Sequence, residues 1–171
     1  ELPVIINAGS GNQGMTCSLP VLEYGKELNS GEEKVYRALA LSNLIAIHQK
    51  TGIGRLSAYC GAVSAGAAAG AGIAYLCGGG YEEVIHTVVN ALAIVSGMVC
   101  DGAKASCAAK IAASVDAGIL GYNMYLRGQQ FYAGDGIVTK GVEATIHNIG
   151  RLGKEGMKET NEEIIKMMIE E

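Results

Sequence analysis

The sequence predicts an all-α protein, a compact bundle of buried helices that are rich in alanine and glycine. Three observations lead to this fold class. Apolar residues recur at helical spacing along most of the chain, and alternating strand patterns are almost absent. The 171 residues also include 25 glycines but one phenylalanine and no tryptophan. A core without aromatic bulk must be filled by close approach of helix backbones.

Length and charge narrow the classes of protein further. With 171 residues, 49% hydrophobic and 18% charged, we expect a single helical domain over residues 1–171. The net charge of -4 gives no basis for binding nucleic acid or an anionic membrane surface, so small molecules are the expected partners. The first residues show no signal-peptide pattern, and the five cysteines are odd in number and irregularly spaced. Reduced thiols in the cytoplasm are therefore expected.

The first motif is a glycine-rich block, Asn7-Ala-Gly-Ser-Gly-Asn-Gln-Gly14, which follows the apolar run Val4-Ile5-Ile6. The spacing predicts that it opens a helix running toward Lys26, and its glycines match G-x-G-x-x-G. A dinucleotide-binding unit would need a second parallel strand soon afterwards, and no such strand is predicted. A nucleotide-binding module is therefore the weakest alternative, and no Walker A lysine follows the block.

Backbone N–H groups at the start of that helix predict a site for an anion such as a carboxylate. The candidate substrate-binding residues are Ser10, Gly11, Asn12 and Gln13. The alternative is an ordinary flexible turn in which Asn12 serves as the N-cap.

Two capping boxes and the apolar periodicity predict the remaining helices. Ser30-Gly-Glu-Glu33 predicts a helix through Lys50 that ends at Gly52, and Thr160-Asn-Glu-Glu163 predicts an amphipathic terminal helix. Between them, helices are expected near residues 63–77, 81–98, 106–126 and 142–152, with a loop over 128–141.

A membrane span is the alternative for residues 56–81, which carry no charged side chain and include the small-xxx-small pattern Gly66-Ala-Ala-Ala-Gly70. The run is mostly glycine, alanine and serine, and Gly78-Gly-Gly80 interrupts it. Insertion into lipid would be weakly favourable, so a helix buried in a protein core is the better interpretation.

Three cysteines are candidate metal ligands. Cys60 precedes the small-residue helix, whereas Cys100 and Cys107 flank a short polar turn. Thiolates hold iron–sulfur clusters, and three protein ligands would leave one iron open as a Lewis acid. Without a C-x-x-C pair the spacing alone favours buried, inert thiols. Zinc is less favoured because no histidine lies close to these cysteines in sequence.

Three blocks together resemble the C-terminal half of the L-cysteine desulfidase family, whose relatives include the iron–sulfur L-serine dehydratase alpha chain. They are the glycine-rich block with Leu19-Pro20, the segment Cys60-Gly-Ala62, and Met98-Val-Cys-Asp-Gly-Ala-Lys-Ala-Ser-Cys107. The resemblance extends over nearly the whole chain.

The resemblance implies a serine dehydratase alpha-chain-like fold and a 4Fe-4S cluster on Cys60, Cys100 and Cys107. It implies breakdown of a small amino acid, giving pyruvate and ammonia without pyridoxal phosphate. Dehydratases typically have proline after their Cys-Asp pair, whereas this chain has Gly102, which favours L-cysteine over L-serine. L-serine dehydratase remains the alternative activity.

The resemblance also concerns the rest of the site. It implies that an N-terminal half, missing here, supplies further active-site residues, including the base, and a homodimer is expected. Asp101 and Lys104 could orient a ligand or substrate from their turn, or could be ordinary polar turn residues. None of the three histidines, His48, His86 and His147, is a convincing base. Cys17 and Cys77 are read as incidental thiols, and a non-catalytic structural fragment of this fold is the competing class.

Overall fold

The computed structural model describes residues 3–170, so residues 1, 2 and 171 of the predicted domain lie outside it. Seven α-helices and one π-helical turn form this part of the chain, which contains no β-strand, and the all-α prediction is confirmed. The helices are α1 (Gly11–Glu27), α2 (Glu32–Ile53), α3 (Gly61–Leu76), α4 (Tyr81–Val95), α5 (Ala105–Leu126), α6 (Val142–Arg151) and α7 (Lys158–Ile169), with the π-turn at Leu152–Gly156 between the last two.

Helix α3 is the centre of the bundle. All of its residues except Gly61 and Tyr75 are buried, and α1, α2, α4 and α5 pack around it. Helix α6 packs against α2 and α4. No helix within residues 3–170 is long and apolar enough to cross a membrane.

Glycines allow α3 and α5 to touch through their backbones. A Cβ atom on Gly70 would lie 2.7 Å from the Cα of Gly118, and one on Gly118 would lie 2.5 Å from the carbonyl oxygen of Gly66. Farther along α5, a Cβ on Gly121 would lie 2.9 Å from the carbonyl oxygen of Thr87 in α4. The core is therefore closed by backbone contact, as the composition predicts.

The predicted capping box at Ser30 is wrong, although the helix that it predicted, α2, is present. Gly31 is the N-cap of α2 and makes no side-chain capping bond. Because Glu33 lies in the first helical turn, its carboxylate pairs with Arg37 one turn later, at 2.8 Å. The helix also runs through Gly52, and Gly54 adopts the positive φ of +96° that ends it.

The second capping box is wrong for a different reason. Helix α7 begins at Lys158, directly after the π-turn and Met157, so Thr160 already lies inside the helix and cannot cap it. No residue of α7 is buried, and Ile165, at 50% exposure, shows how little of its apolar face is covered.

The glycine contacts predict a specific cost of adding one methyl group. Gly70→Ala should lower the free energy of unfolding by about 1–3 kcal/mol, because the α3 and α5 backbones must separate to admit it. Urea unfolding followed by circular dichroism measures the change. Gly97→Ala is the matched control, since nothing lies within 4 Å of its added Cβ. Equal stability of the two variants would contradict backbone contact at Gly70.

Candidate functional site

A short antiparallel bridge brings two of the three candidate ligands together. Tyr59 pairs with Val99, the N–H of Cys60 donates to the carbonyl of Met98 at 3.1 Å, and the N–H of Cys100 donates to that of Ala58 at 2.6 Å. Side chains alternate between the faces of extended backbone, so Cys60 and Cys100 lie on the same side of the bridge. Helix α4 ends at Val95, three residues before its predicted end, and this leaves the 98–100 segment free to pair.

The π-turn contacts the segment that precedes Cys60. The Ser57 hydroxyl donates to the carbonyl of Gly153 at 2.6 Å and accepts from the N–H of Tyr59 at 3.0 Å. Gly153 has no side chain, and a Cβ there would lie 3.1 Å from the Cβ of Tyr59. Single π-turns within α-helices are often found at functional sites. This one fixes the residues that precede Cys60, a candidate metal ligand.

The third cysteine reaches the same place from the start of α5. Cys107 lies in the first turn of that helix, and its N–H donates to the carbonyl of Lys104 at 2.9 Å. Its Sγ atom accepts a hydrogen bond from the side-chain amide of Asn12 at 3.3 Å. Asn12 therefore joins the glycine-rich block to the cysteines.

Ser10, rather than Asn12, caps α1. Its hydroxyl accepts from the backbone N–H of Gln13 and from the Gln13 side-chain amide, both at 3.2 Å. The alternative of Asn12 as the N-cap is wrong, because its side chain turns to Cys107 instead. The N–H groups of Gly11 and Asn12 make no hydrogen bond with any residue in 3–170, so they remain available to an anion.

Two glycines of the G-x-G-x-x-G match have packing roles. A Cβ on Gly11 would lie 2.6 Å from the Cγ1 of Val4, and one on Gly14 would overlap the carbonyl oxygen of Ile5. The segment before α1 thus crosses close over its first turns. Gly9 has a φ of +135°, a conformation that side chains rarely adopt.

These elements enclose a cavity of about 160 Å³, here called the cysteine cavity. Three of the four predicted substrate-binding residues line it, Gly11 being the exception, and all three cysteines do. The lining comprises Gly9, Ser10, Asn12, Gln13, Lys50, Arg55, Leu56, Ser57, Tyr59, Cys60, Gly61, Ala62, Cys100, Gly102, Ala103 and Cys107. Residues separated by up to 98 positions in sequence therefore share one cavity.

The polar turn between Cys100 and Cys107 is held by an ion pair that the sequence did not indicate. Asp101 pairs with Lys110, one turn after Cys107 on α5. The hydrogen bond from Lys110 lowers the pKa of the Asp101 carboxyl and raises that of Lys110 itself. Lys104 is exposed and, like Asp101, does not line the cavity. The sequence did hold a signal for Lys110: it lies three residues after Cys107 on a predicted helix, and residues three apart share a helix face.

Lys50 is the second residue that sequence reasoning missed. It lies in the last turns of α2, is 6% exposed, and lines the cysteine cavity. Burial lowers the pKa of its ammonium group. Burial likewise raises the pKa of the Cys60 thiol and of the Tyr59 hydroxyl. Charge inside this cavity is therefore costly unless a ligand or metal compensates for it.

None of the histidines lines the cysteine cavity. His48 and Glu143 form an exposed pair at 2.8 Å, and His86 stacks on Tyr125 with ring centroids 4.8 Å apart. His147 is exposed. The described residues therefore offer no histidine base at this site.

The donor set around the cavity suits an iron–sulfur cluster. Within residues 3–170 no group of three or more His, Cys, Asp or Glu side chains forms a ready site for a single metal ion. A cluster spreads its thiolate ligands over several irons, so their sulfurs need not converge on one point. Three thiols on one cavity, without a carboxylate or imidazole beside them, match the ligands that such clusters use.

An all-helical bundle with a thiol-lined cavity beside a helix N-terminus is the class that the fold and site define. A family model of the serine dehydratase alpha chain matches residues 1–166, and the chain belongs to this family. The resemblance to that alpha chain is thereby confirmed.

Three similar curated proteins are each called a UPF0597 protein. That of Desulfitobacterium hafniense is 73% identical over 99% of this chain and 39% of its own length. Those of Lachnoclostridium phytofermentans and Treponema denticola are 62% and 53% identical over 99% of this chain, and 40% and 39% of their own lengths. The chain thus spans about two fifths of the relatives it matches. No solved structure matches it.

Asn43 of α2 anchors the glycine-rich block to the bundle. Its side-chain oxygen accepts from the Asn7 amide at 2.7 Å and from the Cys17 thiol at 3.2 Å, while its amide donates to the carbonyl of Leu39 at 2.9 Å. Asn7 is buried, so loss of its partner leaves a donor poorly satisfied.

We predict that Asn43→Ala lowers the free energy of unfolding by about 1–3 kcal/mol and increases deuterium uptake in the block. Urea unfolding and hydrogen-exchange mass spectrometry measure the two effects. Asn123→Ala is the control, because that exposed amide donates only to Ile119 within its own helix. The anchoring interpretation fails if uptake in residues 7–14 is the same in both variants.

Proposed function

We propose that this chain forms the cluster-binding part of an iron–sulfur-dependent lyase that eliminates sulfide from L-cysteine, giving pyruvate and ammonia. Cys60, Cys100 and Cys107 would hold a 4Fe-4S cluster. The observation that carries the proposal is the shared cavity, in which these three thiols meet the N-terminus of α1. Membership of the serine dehydratase alpha-chain family supports a lyase of this kind.

The overall reaction is a β-elimination followed by hydrolysis. A base removes the α-proton, the Cβ–S bond breaks, and sulfide leaves with the bonding electrons to give aminoacrylate. Aminoacrylate becomes its imine tautomer, and water converts the imine to pyruvate and ammonia. When bound, a cluster with three protein ligands supplies an open iron, which acts as a Lewis acid and makes a poor leaving group better.

The chain's own residues would bind the substrate carboxylate and orient the three thiols. The unbonded N–H groups of Gly11 and Asn12, at the positive end of α1, are suited to a carboxylate. Asn12 fixes Cys107 through its side-chain amide, and the bridge between residues 58–60 and 98–100 fixes the other two thiols. Asp101, tied to Lys110, holds the turn between the ligands, whereas exposed Lys104 is placed only to contact a molecule entering from solvent.

The turn after Cys100 supports L-cysteine as the substrate. Gly102 has a φ of +96°, which proline cannot adopt because its ring fixes φ near -65°. The turn therefore differs from the Cys-Asp-Pro turn that is typical of serine dehydratases. L-serine, which would lose water in the same reaction, remains the second candidate because the matching family model is that of a serine dehydratase.

The general base is assigned to a part of the protein outside this chain. Since the relatives are much longer than this chain, we propose that an N-terminal half supplies the general base. A soluble homodimer in the cytoplasm, without pyridoxal phosphate, completes the proposal. The 171 residues are proposed to form one helical domain.

Cluster binding is tested by anaerobic reconstitution with iron and sulfide. The wild-type chain should gain a broad visible charge-transfer band and bound iron, whereas Cys60→Ser, Cys100→Ser and Cys107→Ser should each lose most of both. The visible spectrum and an iron assay provide the readouts. Cys77→Ser is the matched control, since Cys77 is exposed and away from the cavity.

Two results would contradict the ligand assignment. If Cys77→Ser lost the band as completely as Cys100→Ser, iron uptake would not depend on the cavity. If neither the wild-type chain nor the protein at its natural length took up iron, the non-catalytic structural fragment would become the better interpretation.

Substrate identity is tested with the reconstituted protein at its natural length. We expect sulfide and pyruvate in equal amounts from L-cysteine, and a lower kcat/KM for pyruvate release from L-serine. Methylene-blue detection of sulfide and a coupled pyruvate assay measure the two products. A higher kcat/KM with L-serine would instead identify the dehydratase.

A further inference from the structure

Lys50 occupies an unusual position for a lysine. Lysine side chains are almost never fully buried unless an opposite charge accompanies them, yet Lys50 is only 6% exposed. Its ammonium group makes no ion pair and no hydrogen bond with any side chain or carbonyl in residues 3–170. Most of the side chain is therefore buried without a protein anion that would offset the desolvation of its charge.

Lys50 also lies where two spaces meet. Outside the cysteine cavity is an open depression of about 860 Å³, here called the vestibule, lined by Ile6, Ala8, Gly9, Ile47, Lys50, Thr51, Gly54, Arg55 and Leu56. Gly9, Lys50, Arg55 and Leu56 line both spaces. A molecule that entered the cysteine cavity from the vestibule would pass Lys50.

The charge of the two linings is entirely positive. Lys50 and Arg55 contribute to both, and no aspartate or glutamate among the described residues lines either. The whole chain nevertheless has a net charge of -4. Positive potential is thus concentrated at this entrance against the average of the molecule, which favours a small anion.

We propose that Lys50 binds the carboxylate of the amino-acid substrate, at the entrance to the cysteine cavity and beside the N-terminus of α1. This inference rests on the proposed function for the identity of the ligand, a small α-amino acid with a free carboxylate. Lys50 would give the carboxylate a full positive charge, and the free N–H of Asn12, which lines the same cavity, would give it a directed donor.

A different role for Lys50 would be to balance the negative charge of the thiolates. Cys60 and Cys100 are close enough for their charges to act on Lys50. That role predicts loss of iron when Lys50 is replaced, whereas carboxylate binding predicts loss of ligand affinity with iron content unchanged. The two roles are therefore separated by measuring both quantities on the same variants.

The experiment measures equilibrium binding of L-alanine, which has no leaving group, to the reconstituted protein at its natural length. L-Alaninamide serves as the probe that lacks a carboxylate. Isothermal titration calorimetry, or ligand-observed NMR for weak binding, compares wild type with Lys50→Met and Lys50→Arg. Lys34→Met is the matched control because Lys34 is an exposed lysine of the same helix and lines neither space.

Lys50→Met should weaken L-alanine binding roughly 10- to 100-fold, as expected for loss of a charge-assisted contact, and should leave iron content unchanged. Lys50→Arg should retain most of the affinity, and Lys34→Met should match the wild type. L-Alaninamide should bind weakly and equally to all four proteins. Circular dichroism establishes that the variants are folded, and Lys50→Gln, which also removes the charge, takes the place of Lys50→Met if the latter does not fold.

The proposal is overturned by any of three results. These are undiminished L-alanine affinity in Lys50→Met, equal affinity of the wild type for L-alanine and L-alaninamide, and absence of L-alanine binding to the wild type. If L-alanine binds through Lys50 but no sulfide or pyruvate is formed, the lyase proposal fails while the carboxylate site stands. If turnover is observed and Lys50→Met retains the wild-type KM, the carboxylate site fails while the lyase stands.

Discussion

Backbone contact between α3 and α5 is the constraint on which the rest of the structure depends. Gly66, Gly70 and Gly118 leave no room for even one methyl group between the two helices. Because α3 is surrounded by four helices, its position and direction are fixed along its whole length. Its N-terminus therefore presents Cys60 at a set point, and the start of α5 presents Cys107 beside it. The small-residue composition is thus what allows the thiols to share a cavity.

A few local interactions, each involving only a few residues, then complete the site. A single β-bridge joins segments 58–60 and 98–100, which flank the buried pair α3 and α4. The glycine-rich block is held from the other side by Asn43 and by the Asn12 contact to Cys107. The bridge therefore positions Cys60 and Cys100 together, whereas Cys107 is positioned by the start of α5 and by Asn12.

The sequence predicted the helices well because apolar periodicity extends over many residues, whereas caps depend on single positions. The N-cap of α2 lies one residue after the predicted Ser30, at Gly31, and that of α7 lies three residues before the predicted Thr160, at Met157, which was enough to make both capping boxes wrong. The bridge at Tyr59 could not be predicted, since one residue pair carries no period. Lys50 was hidden for a similar reason. A basic residue in the last turn of a helix ordinarily complements the helix dipole at the surface, and only the tertiary fold buries it.

Burial of Lys50 and Cys60 explains why charge in this cavity would require compensation from a ligand. Burial disfavours the charged ammonium of Lys50 and the thiolate form of Cys60, so each charged form is stabilised when an opposite charge binds beside it. Binding of a metal cluster would deprotonate the thiols, and a carboxylate would pair with Lys50. Leu56, 94% exposed at the rim that both spaces share, leaves the entrance open to such ligands. Ligands that bind only the folded protein and supply these opposite charges should therefore stabilise it.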